Sequence, residues 1–139
     1  MLFALMRGQM ALALVVVAGL TAAAAPAAGT SVPTKLLGKY HRTLSAQQLA
    51  RTAFPQAVGR WSLTFSKDGT VFAQGQAAFS AYLHASAAGP GRLKVSTDIC
   101  GPRTATYRWT MSGKSLKLTK VDDRCGDRAV ILTGVWKRS

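Results

Sequence analysis

The chain contains no glutamate, five aspartates, two histidines and two cysteines. Each scarcity removes a class of chemistry. General acid–base and covalent catalysis need carboxylates, imidazoles or thiols within reach of one another. His41 and His84 stand alone, with no Asp, Glu or Cys at a ligand-like spacing, and surface positions are expected for both. Cys100 and Cys125 are 25 positions apart, with no CxxC pair and no neighbouring histidine, so neither a metal centre nor a dithiol redox site is expected. Asp122, Asp123 and Asp127 cluster, but Arg124 and Arg128 are interleaved with them and the Gly-centred spacing of a calcium loop is missing. Loop salt bridges are expected there. The composition reads as a non-enzyme with no cofactor and no metal.

Scarcity of negative charge leaves a strongly basic chain, +13 overall. With Arg7 in the opening segment set aside, 17 Lys and Arg face five Asp, and they are scattered rather than run together. A basic globule of this kind raises encounter with acidic cell-envelope polymers, anionic lipid head groups or extracellular nucleic acid, and suits docking to a protein partner. Specific nucleic-acid binding is not expected, because the aromatic and basic motif of an RNA-binding sheet is missing.

The opening residues have the plan of a secretory signal peptide. Arg7 precedes the apolar run Met10 to Leu20, and Ala25-Pro26-Ala27 offers a small-x-small cleavage site. The run is about 11 residues against the roughly 20 of a membrane span, so no span is expected after processing. The assignment is therefore 1–27 signal peptide, 28–37 flexible leader and 38–139 a single domain, with the mature protein secreted. An exported chain with two cysteines pairs them most economically. Closing that loop contributes about 3–4 kcal/mol in the chain-entropy model.

Few long apolar runs occur in the mature part, and the pattern is one of short alternations. Gly38 to Leu44 reads as a strand, and Ser45-Ala46-Gln47-Gln48 as a capping box opening a helix to about Ala53, before Pro55. Trp61, Leu63 and Phe65 alternate with polar residues, Lys67-Asp68-Gly69 makes a hairpin turn, and Thr70 to Gln76 returns. Phe79, Ala81 and Leu83 continue, then Leu93, Val95 and Ile99, then Ala105, Tyr107, Trp109 and Met111, with Leu116 and Leu118 beyond a Gly113 turn. Ala129 to Lys137 reads as a last strand. Seven or eight short strands joined by hairpins predict an all-β, antiparallel, up-and-down small barrel, with one short N-terminal helix and one disulfide at a rim.

These stretches carry a resemblance. Gly38-Lys39-Tyr40, Gly59-Arg60-Trp61 with Leu63-Thr64-Phe65 and Asp68-Gly69, Tyr107-Arg108-Trp109, and Val121-Asp122-Asp123 with Cys125, Arg128 and Trp136 resemble the lipocalin-like small secreted proteins of bacteria, within the calycin set. The resemblance implies a barrel in which Trp61 closes one end against a basic residue of the last strand, Lys137 or Arg138, and a small hydrophobic or amphipathic ligand inside. The domain departs from full-length members in being short, with an inserted helix at its start. Candidate wall residues are Trp61, Phe65, Tyr82, Tyr107, Trp109 and Trp136. The small residues Ala73, Gly75, Ala77, Ala78 and Ala81 suggest space beside them. The alternative reading places function on a basic outer face that includes Arg60, Arg92, Lys94, Arg108 and Lys117. A monomer is expected.

Overall fold

The period-two alternation becomes eight antiparallel strands in a computed structural model that describes residues 31–97, 100–101 and 103–139. The strands are β1 (Gly38–Leu44), β2 (Gly59–Phe65), β3 (Thr70–Gln74), β4 (Ser80–Ala87), β5 (Arg92–Ser96), β6 (Ala105–Ser112), β7 (Ser115–Asp122) and β8 (Gly134–Arg138). Each pairs with the next, and β8 returns to β1 through Tyr40↔Arg138 and His41↔Lys137, so the sheet closes as an up-and-down barrel with no free edge. This is the fold class expected above, and it is compatible with a lipocalin-like architecture. The signal-peptide assignment and Ile99 lie outside the described residues.

Alternation sets the interior. Trp61, Leu63 and Phe65 of β2 are buried, as are Val71 and Ala73 of β3, Ala81, Leu83 and Ala85 of β4, Leu93 and Val95 of β5, and Leu116 and Leu118 of β7. Short turns at 66–69, 88–91 and 113–114 join strands at one end. The long connections 45–58, 75–79, 97–104 and 123–133 all gather at the other. The first of these holds α1 (Ala46–Leu49), where both arms of the capping box form: Gln48 N donates to Ser45 Oγ and Ser45 N to Gln48 Oε1. The helix is shorter than expected, because Thr52 N and Oγ1 both bond the Leu49 carbonyl and tighten the chain into turns.

Two expectations are corrected. The stretch from Ala129 is not continuous strand: Gly126–Leu132 form the helix α2 and only Gly134–Arg138 pair in β8. An apolar run of this length fits either period. What selects the helix is that Arg128, Ile131 and Leu132, at i, i+3 and i+4, all turn inward and are buried. The leader is likewise not free up to Leu37. Val32 and Leu36 are buried, Thr34–Leu36 form a 3-10 turn, and Ala87 N donates to the Ser31 carbonyl. The barrel's short-turn end would otherwise expose apolar interior, and Leu36 covers it.

One local device recurs three times. Gly38-Lys39-Tyr40, Gly59-Arg60-Trp61 and Gly134-Val135-Trp136 each begin a strand with a glycine at φ 126°, 123° and 139°, backbone that a side chain rarely adopts. The aromatic two residues on is fully buried in each case. Its polar atom donates to the carbonyl four residues back: Tyr40 Oη to Leu36 at 3.1 Å, Trp61 Nε1 to Ala57 at 2.8 Å and Trp136 Nε1 to Leu132 at 3.0 Å. The chain thus enters the barrel wall with a large ring turned inward and its N–H or O–H already satisfied.

Candidate functional site

Four of the six candidate wall residues, Trp61, Phe65, Tyr107 and Trp136, are buried in the interior. Trp109 is half-buried beside them, with no hydrogen-bond partner for its Nε1. Tyr82 is a correction: it is 69% exposed on the outer surface, because its neighbours Ala81 and Leu83 take the inward positions of β4. The small residues leave less space than their size suggests. A Cβ on Gly75 would overlap the Trp61 indole, so that ring already fills the notch. Phe54 and Phe79 stack beside it, with centroids 4.2 Å apart and at 5.9 and 5.1 Å from Trp61. Ala77 and Ala78 are exposed in the β3–β4 turn.

Among the described residues, two small apolar voids line the interior. One, of about 20 Å³, lies at the long-loop end between Phe54, Phe79, Ala81, Ile131 and Leu132. The other, of about 10 Å³, lies deeper, between Phe65, Leu93, Tyr107 and Leu118. Each is on the scale of a single water, whereas ligand pockets run from about 300 Å³ upward. An eight-stranded barrel can be packed solid or hold one small ligand, and in this conformation the rings and α2 fill it.

The long-loop end is held by a charged network that local spacing alone reads as a solvated loop. The Cys100–Cys125 disulfide ties the β5–β6 connection to the residues after β7, and beneath it the Asp123–Arg128 ion pair is buried on both sides. Arg128 grips the carboxylate in a fork, Nη2 to Oδ1 at 2.7 Å and Nε to Oδ2 at 2.8 Å, and its Nη1 donates to the Arg103 carbonyl at 3.2 Å. Cys125 N donates to Oδ1 at 2.8 Å, and the Tyr107 hydroxyl donates to Oδ2. Burial pushes the Asp123 carboxyl up, but the hydrogen bonds from Arg128, Tyr107 and Cys125 together with the Arg128 charge outweigh it and hold the group below the usual carboxylate range. Burial, then the Asp123 hydrogen bond and charge, push the Tyr107 hydroxyl well above its ordinary value. Each carboxylate oxygen already accepts two hydrogen bonds, so Asp123 has no free lone pair for a substrate. The sequence signal for this cluster is the Asp-x-Cys-x-x-Arg spacing, in which a cysteine held by a distant partner drags its flanking charges inward.

Two arginines lie over aromatic rings at the strand starts. Arg138 stacks on Tyr40 at 4.9 Å and donates to the Leu37 and Lys35 carbonyls and to Tyr40 Oη. The basic residue of the last strand therefore closes the barrel on Tyr40 and not on Trp61, because Tyr40 neighbours Arg138 in the β1–β8 register. Lys137 points outward to Ser115 Oγ. Arg42 lies 5.2 Å from the Trp136 ring and donates to the Ile131 and Thr133 carbonyls at the end of α2. Among the described residues, no three His, Cys, Asp or Glu side chains gather as a metal site would require. No described helix is long and apolar enough to cross a membrane.

No family model, curated protein or solved structure matches the chain. The remaining geometry is on the outer surface. Arg60, Arg92, Lys94, Arg108 and Lys117 are all exposed. Four of them share the outer face of β5–β7, where Arg92 stands directly opposite Arg108, Lys94 opposite Thr106 and Lys117 opposite Thr110. Arg60 stands apart on β2. Among the described residues, the one salt bridge is the internal Asp123–Arg128 pair; on this face Asp122 stands opposite Thr106 in the same row as Lys94 without forming an ion pair. The disulfide is compatible with an extracytoplasmic protein.

Proposed function

We propose that this protein is a secreted, non-enzymatic binding module whose basic outer face docks an acidic polymer of the cell envelope. The observation that carries this reading is Arg92 placed directly across from Arg108, flanked by Lys94 and Lys117. Like charges in cross-strand positions destabilise a sheet by a few tenths of a kcal/mol to about 1 kcal/mol. A polyanion laid across them removes that repulsion, and the field of the whole globule speeds encounter. The closed barrel beneath supplies a rigid platform.

Docking of this kind is salt-dependent. Raising salt from about 50 to 200 mM is expected to weaken binding to a polyanion such as polyglutamate by about tenfold or more, read by titration calorimetry. Arg108→Glu is expected to raise stability slightly, by about 0.5 kcal/mol, by giving Arg92 an opposite charge, while removing most of the docking. Salt-independent binding would count against the reading. A second reading, capture of a small apolar ligand in the barrel, draws on the apolar cleft at the long-loop end. It needs Phe54 and α2 to move apart, and it predicts quenching of tryptophan fluorescence that survives high salt.

A further inference from the structure

On the outer surface, away from the β5–β7 charges, Phe72 and Tyr82 form an aromatic pair with centroids 4.8 Å apart and planes at 33°. Tyr82 is 69% exposed, so the pair gains little from burial. As a cross-strand contact it is worth under about twofold to fivefold in the folding equilibrium. Register places the pair in a row across four strands, Lys39↔Thr64↔Phe72↔Tyr82, with a second row of His41↔Ser62↔Gln74↔Ser80 beside it. At the spacing of neighbouring strands the first row is about 14 Å long, enough for more than one sugar ring. Open grooves flank the platform. One, of about 440 Å³, is lined by Lys39, His41, Arg60, Ser62 and Gln74, and another, of about 520 Å³, by Thr70, Tyr82, His84 and Ser96.

We infer that the Phe72–Tyr82 platform is a glycan-binding site and that the acidic polymer is a polysaccharide, an inference that rests on the polyanion reading above. A pyranose has an apolar C–H face and a rim of hydroxyls. A flat exposed aromatic takes the face, and the hydroxyl and amide side chains of Thr64, Ser62, Gln74 and Ser80 are the donors and acceptors that read the rim. Lys39, at the β1 end of the first row, and Arg60, one row beyond Ser62 on β2 and lining the same groove, pair with the carboxylates of an acidic sugar. Single-stranded nucleic acid also combines stacking with cations. The hydroxyl and amide side chains beside the rings favour the sugar, and a single-stranded DNA arm in the test separates the two.

The test titrates the mature protein with a short oligogalacturonate, with polyglutamate of matched charge and with a single-stranded DNA oligomer. The wild type is expected to bind the oligogalacturonate about tenfold more tightly than polyglutamate. Tyr82→Ala is expected to erase that preference, leaving polyglutamate affinity and melting temperature nearly unchanged, and Tyr82→Phe to retain it. Salt-dependent binding to both polyanions with no preference in the wild type overturns the glycan site and leaves the polyanion reading standing. Salt-independent binding of the sugar alone overturns the polyanion reading and keeps the site. A preference that survives Tyr82→Ala, or tighter binding of DNA, overturns the inference, and no binding of either polyanion overturns both.

Discussion

Asp123→Ala is expected to destabilise the protein by about 3–5 kcal/mol, because it leaves the Arg128 guanidinium buried and unpaired and strips the Tyr107 hydroxyl and Cys125 N–H of their acceptor. For a domain of this size that is a fall of about 15–25 °C in melting temperature. Asp123→Leu combined with Arg128→Met should recover much of the loss, since neither charge is then stranded, and a melting curve of each variant decides it. A single variant within about 1 kcal/mol of wild type would mean that water reaches the network. The same cluster sets the pH limits. The Asp123 carboxyl is held below its unfolded value, so its contribution is full above about pH 3.9 and is lost as the pH falls from there through the folded value. The Tyr107 hydroxyl is held above its unfolded value, so its contribution is full below about pH 10 and is lost as the pH rises from there through the folded value. Urea midpoints across the pH range should therefore decline at both extremes, and Tyr107→Phe should lessen the alkaline decline, with Tyr40, whose hydroxyl burial also raises, keeping the remainder.

The hairpins were legible because two signals agreed at each of them. Trp61, Leu63 and Phe65 alternate with polar residues, and the turn after them is closed by Asp68 Oδ1 accepting from Thr70 N at 2.9 Å. The capping box at Ser45 was legible for the same reason, since donor and acceptor lie within four residues. Tyr82 shows how one signal misleads when it is used alone. An aromatic ring suggests an interior, yet Ala81 and Leu83 already commit the position between them to the outer face. The Asp123–Arg128 pair was legible as a salt bridge but not as a buried one, because its burial depends on a disulfide partner 25 residues away and on a helix that the apolar run after Ala129 did not distinguish from strand. The lipocalin-like resemblance sets Lys137 or Arg138 against Trp61, whereas Arg138 stacks on Tyr40. The recurrence of glycine, any residue and an aromatic at Tyr40, Trp61 and Trp136 shows that the chain uses one device three times, and only register decides which ring meets the last strand.

Trp61→Ala is expected to cost about 3–5 kcal/mol and to bear directly on whether the barrel can hold a ligand. The indole is fully buried, fills the notch at Gly75, stacks beside Phe54 and Phe79, and satisfies the Ala57 carbonyl. Its removal should leave a cavity continuous with the apolar cleft of about 20 Å³ that Phe54 and Phe79 already line. Apolar cavities of that kind stay dry and take up small aromatics. Indole added to the variant should then raise its melting temperature through linkage, whereas the wild type should show no shift. A shift in the wild type would mean that α2 and the 45–58 connection open under native conditions, and the interior reading would gain at the expense of the outer face. A loss below about 1 kcal/mol in the variant would mean that the long loops collapse into the space. In that case the rings hold the interior closed only loosely, and the small void volumes understate what the barrel can admit.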